Sequence, residues 1–302
     1  MLTDLITSFP GARTAWTYDP SRPRLGIVLR RWRARWKREP APEWKALVPV
    51  TRRQRWLVYF IYVANGQLDA GHHYTLDQLA REDASLMVIC ACPKEHPVLE
   101  ELRSRCDALY WKAQNGWDFS AYAVALSALA QLSTGADVLV LNDSVYGPFR
   151  PLVPFMDAAT WRLTGFTANA LEENHVQSYA FIVKSIDKVL MQLLDSVMST
   201  SWSYNAADPV ILLQETLLAR VAHRHISVGA FFYADGSRYQ DLCLNCPAAL
   251  VDAGFPFLKR SLFGKFAGSF QDPAAMQVLL QRLGHPFIKP VGDPLGLGGP
   301  IV

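Results

Sequence analysis

The chain has 302 residues, of which 50% are apolar and 19% charged, with a formal net charge of +3. This length and composition suit a chain with a substantial buried core and exclude disordered, collagenous and coiled-coil classes. Charge is unevenly placed: residues 1–56 hold 13 Lys and Arg against 4 Asp and Glu, and the remainder is net acidic, so the chain as a whole does not read as a nucleic-acid binder.

No stretch reaches the roughly 20 apolar residues that a membrane span needs. Met1 to Trp16 lacks a basic region followed by an apolar one, so no signal peptide is expected and the expected compartment is the cytoplasm. Five cysteines without a secretion signal are expected to be reduced thiols.

In chain order, residues 1–55 read as a basic appendage before the main fold. They contain Arg30-Arg31-Trp32-Arg33-Ala34-Arg35-Trp36-Lys37-Arg38 and then a Pro-rich stretch from Pro40 to Pro49. Residues 30–38 have two readings: a solvated basic helix, or a patch for an anionic membrane surface, since Trp favours the interface and Arg attracts anionic lipid.

The apolar run Leu57 to Val63 predicts a buried strand, ended by Ala64-Asn65-Gly66. Leu76, Leu79 and Ala80 fit a helix face. Ala84 to Ala91 predicts a second strand, Val98 to Arg105 a short helix, and Asp107 to Trp111 a third strand. Asp118 to Leu132 reads as a helix, and Asp137 to Leu141 as a fourth strand running into Asn142-Asp143-Ser144. Alternating strands and helices predict βαβ units, a mostly parallel central sheet and ligand binding at the strand C-termini. Further on, Trp161 to Thr167 and Ser178 to Val183 predict strands, and Ile186 to Met198 and Val210 to His223 predict helices. Val291 to Val302 reads as a Gly/Pro-rich mobile tail.

The common phosphate and nucleophile signatures do not occur; Gly296, Gly298 and Gly299 follow no strand. Cys243-x-x-Cys246 with Cys90-x-Cys92 and His96 offers a weak zinc arrangement, and buried core cysteines are the stronger reading. His72-His73 and His223-x-His225 are too isolated to be metal ligands.

Two segments stand out. Asn115-Gly116-Trp117-Asp118-Phe119-Ser120-Ala121-Tyr122 lies between the third strand and a helix; Gly116 permits close approach and Asp118 suits a helix cap. Leu141-Asn142-Asp143-Ser144-Val145-Tyr146-Gly147-Pro148 lies at the end of the fourth strand, where either a turn or a ligand site would place such residues.

Together the two segments closely resemble the rhamnan synthesis F family. The resemblance continues through Gly165-Phe166-Thr167, His175-Val176-Gln177-Ser178-Tyr179 and Phe255-Pro256-Phe257-Leu258-Lys259-Arg260, and spans about residues 56–263. It implies an α/β, GT-A-like nucleotide-sugar-binding fold and a glycosyltransferase of bacterial surface polysaccharide or lipid-linked glycan, peripheral on the inner membrane. It further implies one such domain over 56–270, with a donor half over 56–150 and an acceptor half over 151–270, followed by an extension over 271–302. The implied donor is a nucleotide sugar, dTDP-rhamnose being slightly favoured. Donor-binding residues would be Asn65, Asn115, Gly116, Asp118, Tyr122, Asn142, Asp143, Ser144, Lys259 and Arg260; His175, Gln177 and Ser178 would face the acceptor.

GT-A enzymes place Asp-x-Asp at the end of the fourth strand, on a divalent metal. Asn142-Asp143-Ser144 keeps only Asp143, so weak dependence on Mg2+ or Mn2+ is expected. An inverting transfer needs a base. Glu215 is the first candidate, near the start of a late helix whose N-terminus would favour its ionised form, and Asp143 the second. The missing Asp-x-Asp leaves open a non-catalytic glycan- or partner-binding module.

Overall fold

The structure is a computed structural model, and it describes residues 12–237 and 241–286. The Gly/Pro-rich segment 291–302 lies outside these residues. The strands in chain order are β1 (Ala12–Thr17), β2 (Arg38–Pro40), β3 (Trp44–Val48), β4 (Arg55–Tyr62), β5 (Ser85–Ala91), β6 (Ala108–Lys112), β7 (Asp137–Asn142), β8 (Val145–Tyr146), β9 (Leu163–Asn169), β10 (His175–Val176), β11 (Ala180–Val183), β12 (Trp202–Tyr204), β13 (Val228–Ala234) and β14 (Leu258–Lys259). The first eight α-helices are α1 (Leu25–Ala34), α2 (Ala70–Leu79), α3 (Val98–Arg103), α4 (Trp117–Leu132), α5 (Val153–Ala158), α6 (Lys188–Leu194), α7 (Ala207–Val210) and α8 (Thr216–Ala222).

Ten strands form one sheet in the order β1-β13-β9-β11-β7-β4-β5-β6-β3, with β10 on β9. The block β7-β4-β5-β6 is parallel, as is the pair β13-β9. β11 runs antiparallel to both β7 and β9 and splices the two groups so that they point the same way. The sheet is therefore mixed, with a parallel centre and antiparallel strands at both edges.

The centre is parallel because its strands are apolar on both faces, as a sheet covered by helices requires. Alternate residues along each strand feed two cores. Trp56, Val58 and Phe60 of β4 join Met87, Ile89, Val138 and Val140 under α4, α6 and α8. Leu57, Tyr59 and Ile61 join Val88, Cys90, Leu139 and Leu141 on the other face, with Leu76 and Leu79 of α2 and Leu102 of α3. α4 is apolar around almost its whole circumference and is buried accordingly. A small satellite core, including Leu258, Leu262, Met276 and Leu280, gathers the C-terminal segment.

The segment before residue 56 is not an appendage. β1 pairs with β13 at one edge of the sheet and β3 with β6 at the other. β2 pairs with β12. These strands are short and largely exposed, so none shows the run of buried apolar residues that marks β4 to β7, which hid them in the sequence. The expected helix over 186–198 is shorter, Lys188–Leu194, and is capped by the Asp187 carboxylate on Leu190 N–H at 2.7 Å.

Candidate functional site

From β4 the chain passes outward to β5 and β6, and then returns through α4 to β7 on the opposite side of β4. The strand order therefore reverses between β4 and β7. In open α/β sheets the crevice beyond the strand C-termini at such a point is the usual ligand site. Asp143 occupies it. Its N–H donates to Phe60 O at 3.1 Å, and its carboxylate Oδ2 accepts from Tyr62 N–H at 2.7 Å.

His72 supports Asp143 from α2. Asp69 caps this helix, accepting from His72 N–H at 2.8 Å, while the His72 ring Nδ1 lies 3.0 Å from Asp69 N–H. The tautomer that satisfies both neighbours has Nδ1 accepting and Nε2–H directed at Asp143 Oδ2, 3.4 Å away. Burial pulls the His72 pKa down, but Asp143 and Asp69 more than offset this and leave it raised. Arg260 forks onto Asp69 at 2.8 and 3.0 Å and stacks on the Tyr146 ring. Burial raises the Asp69 pKa, but His72 and Arg260 outweigh it and hold the carboxyl well below the usual range.

On the other side of Asp143, the Asn142 side-chain amide donates to Asp118 Oδ2 at 3.2 Å. Asn142 Oδ1 accepts from Ser144 N–H at 3.1 Å and from its hydroxyl at 2.5 Å. Asp118 is buried in the first turn of α4 and is not its cap: the N-cap position is Gly116. Burial, reinforced by the Glu215 charge, pushes the Asp118 pKa up to about 7. Lys112, at the end of β6, donates to the carbonyls of Ala113 and Asn115. Burial brings its pKa down to about 7 although Asp118 opposes the fall.

Glu215 immediately precedes α8, but it also closes a π-helical turn, Ile211–Glu215, that continues directly from α7, so the free helix N-terminus lies back at Ala207 and does not support its charge. Ser178 holds it instead: the backbone N–H and the hydroxyl of Ser178 both donate to Glu215 Oε2, at 2.9 and 2.5 Å. π-turns inside helices are frequent at functional sites. Ser178 leads into β11, whose neighbour Tyr179 accepts from Asn142 N–H at 3.0 Å. Glu215, Ser178, Asn142, Asp118 and Asp143 thus form one connected group. Among the described residues, no hydrogen bond reaches Asp143 Oδ1 or Glu215 Oε1, so each carboxylate is tethered by one oxygen and presents the other.

The remaining expected site residues divide. Tyr122 is wholly buried and its hydroxyl donates to Ser178 O at 3.1 Å, so it braces the site from behind. Asn65 is exposed and accepts from Gln67 N–H in a turn. Asn115 is exposed beside Lys112. Gly116 has φ +83°, and a Cβ there would lie 2.8 Å from Ser120 Oγ, so the turn into α4 requires glycine at this position. His175 and Gln177 are buried within the protein: His175 Nδ1 is 2.8 Å from Glu173 O, and Gln177 donates to Asp241 at 2.7 Å and accepts from Thr167 at 2.6 Å. Both side chains are thus committed to internal partners. Lys259 stacks over Tyr179 and stands 3.7 Å from Asp241. Burial lowers its pKa, but Asp241, with Cys243 and Glu215, leaves it raised.

The donor set does not fit a divalent cation. Asp143 is the one carboxylate of its triplet and has an oxygen on Tyr62, while Asn142 Oδ1 is occupied by Ser144. Among the described residues, no group of three or more His, Cys, Asp or Glu could hold a metal ion. Cys90, Cys92, Cys243 and Cys246 are buried in one apolar core.

His72, Asp69, Lys112 and Asp241 were not singled out as site residues from sequence. Asp69 three residues before His72, ahead of an apolar helix face, is a capping signal that could have pointed to the first pair. A lysine ending the buried run Ala108–Lys112 was the signal for the third.

No family model matches the chain, and no curated protein matches it. The resemblance to the rhamnan synthesis F family therefore rests on the motifs quoted above. Among solved structures, a 4-diphosphocytidyl-2C-methyl-D-erythritol synthase from Anaerococcus prevotii is 11% identical over 66% of this chain and 95% of its own, with a TM-score of 0.39. Residues 1–349 of TarS from S. aureus are 14% identical over 76% of this chain and 79% of that one, at 0.35. A glucosyl-3-phosphoglycerate synthase from Mycobacterium tuberculosis, in complex with Mn2+, UDP and glucosyl-3-phosphoglycerate, is 13% identical over 91% and 89%, at 0.36. Overlaps this loose transfer no activity to this chain.

Proposed function

We propose that this protein is an inverting, GT-A-like glycosyltransferase. It moves a sugar from a nucleotide-sugar donor to a growing bacterial surface polysaccharide or lipid-linked glycan at the cytoplasmic face of the inner membrane. The observation that carries the reading is Asp143 at the strand-order reversal, joined through Asn142 and Ser178 to a second tethered carboxylate, Glu215.

In the proposed reaction the acceptor hydroxyl oxygen attacks the anomeric carbon. The bond from that carbon to the diphosphate oxygen breaks, and the nucleoside diphosphate leaves with the electron pair. Glu215 takes the hydroxyl proton through Oε1 while Ser178 fixes Oε2. Asp143 lines the donor side, oriented by Tyr62 N–H and His72. Lys259 is the candidate to balance the diphosphate, since its partner Asp241 stands 3.7 Å away and a fifth of its side chain is exposed. Arg260 is already forked onto Asp69 and acts by holding that carboxylate against His72. Weak dependence on Mg2+ or Mn2+ belongs to this reading.

Titration calorimetry with UDP, GDP, dTDP and CDP tests the donor site, followed by turnover with the matching nucleotide sugars, dTDP-rhamnose first. One of the four is expected to bind; failure of all four to bind the folded protein removes the proposal. A second reading, a non-catalytic glycan- or partner-binding module, is favoured by the internal bonding of Asn142 to Asp118 and Ser144. Nucleotide binding without turnover of any nucleotide sugar would select it.

A further inference from the structure

α1 packs against the body through Ile27, Arg31 and Ala34. Arg31 is buried. Its Nε donates to Leu212 O at 2.9 Å, and its Nη2 donates to Thr216 Oγ1 at 2.7 Å and pairs with Glu173. Glu173 also pairs with Arg220. Leu212 lies on the π-turn and Thr216 opens α8 directly after Glu215, so α1 is fastened to the segment that carries a candidate base.

The opposite face of α1 is unusual. Leu25, Val28, Leu29, Trp32 and Trp36 recur at spacings of three and four, which places them on one stripe of the helix and the turn that follows it. All five are exposed: Leu25 keeps 75% of its surface, Leu29 54%, Trp32 60% and Trp36 80%. Scattered exposed apolar residues are ordinary, but a contiguous apolar stripe marks an interaction surface. Arg24, Arg33, Arg35 and Lys37 are exposed along the same segment, and none of the four pairs with a carboxylate among the described residues.

We infer that this face of α1 docks the protein onto an anionic phospholipid bilayer, with the apolar stripe in the interface and the flanking cations at the headgroups. Charge complementarity commits the occupant. A nucleic acid would use the cations but leave the apolar stripe wet, whereas an apolar partner would strand four unpaired cations. A bilayer rich in anionic headgroups satisfies both, and Trp is suited to the headgroup boundary. The inference rests on the helix face alone and does not depend on the nucleotide-sugar reading. It places the edge of the molecule beside Glu215 against the membrane, where a lipid-borne acceptor would lie.

Deleting the first 50 residues would remove β1 and β3 and with them both edges of the sheet, so the test uses the full chain with point variants. Flotation is measured with vesicles of phosphatidylcholine alone and of equimolar phosphatidylcholine and phosphatidylglycerol. Wild type is expected to float with the anionic vesicles and not with the neutral ones. Trp32→Gln/Trp36→Gln and Arg33→Gln/Arg35→Gln are each expected to weaken partitioning about tenfold or more. Both should keep the wild-type melting temperature, because the replaced side chains are exposed. Wild type that stays unbound, or variants that float equally well, would overturn the inference. So would a concentration-dependent dimer that the tryptophan variant dissolves without any vesicle binding, which would assign the face to a second copy of the chain.

Discussion

The Asn142 side-chain amide donates to the Asp118 carboxyl at 3.2 Å, and this bond joins two motifs that lie a helix apart in the chain. It brings the end of β7 against the first turn of α4. Asp118 is buried there, and this burial, with the Glu215 charge, raises its pKa to about 7.

The sign of the resulting pH effect is fixed by that rise. The folded state holds the Asp118 proton more tightly than the unfolded chain does. The associated stability is fully present below about pH 4 and is lost progressively as the pH rises to about 7. Asp118→Asn cannot ionise, so its melting temperature relative to wild type is expected to rise across that window. Thermal melts of both proteins at a series of pH values check this; a constant difference would show that Asp118 is charged in the fold.

Glu215→Gln keeps the Ser178 hydrogen bonds in shape but removes the basicity of Oε1. A fall in kcat of about 10² to 10⁴, with donor affinity nearly unchanged, is expected for loss of a general base. Steady-state kinetics with calorimetric donor binding read both quantities. Should Glu215→Gln retain most of the rate while Asp143→Asn abolishes it with donor binding intact, the base is Asp143.

The lone carboxylate of Asn142-Asp143-Ser144 sets an expectation for metals. Chelation with EDTA is expected to leave most of the turnover in place, because the described residues offer too few oxygen ligands around Asp143 for a hard cation. Complete loss of turnover, restored by Mn2+ or Mg2+, would contradict this.

Glu173 is wholly buried between Arg31 and Arg220. Removing one partner of a buried pair leaves an uncompensated charge and costs about 3 to 5 kcal/mol. Arg31→Met strips Glu173 of one partner and frees α1 from the π-turn, so denaturant unfolding is expected to show a loss of about that size. A change under about 1 kcal/mol would mean that Arg220 alone satisfies Glu173.

The centre of the fold was legible in the sequence because its determinants are local. The runs at β4, β5, β6 and β7 are apolar over consecutive residues, and a strand buried on both faces has to be. α4 announced itself by length and composition, and Asn142-Asp143-Ser144 by its place just past a buried strand. What surrounds that triplet depended on segments far away in the chain. β1 and β3 carry weak patterns and become strands because β13 and β6 offer them open edges. Glu215 was expected to draw its support from a helix N-terminus; the folded chain instead brings Ser178 to it, from 37 residues earlier. His72 reaches Asp143 across 71 residues. His175 and Gln177 had the chemistry of ligand contacts, but the fold turned them inward onto Glu173, Thr167 and Asp241. Apolar periodicity records burial residue by residue, so sequence alone determined the strands and helices of the core. A polar group's role is set by its partner, and which distant partner arrives is decided only when the sheet assembles.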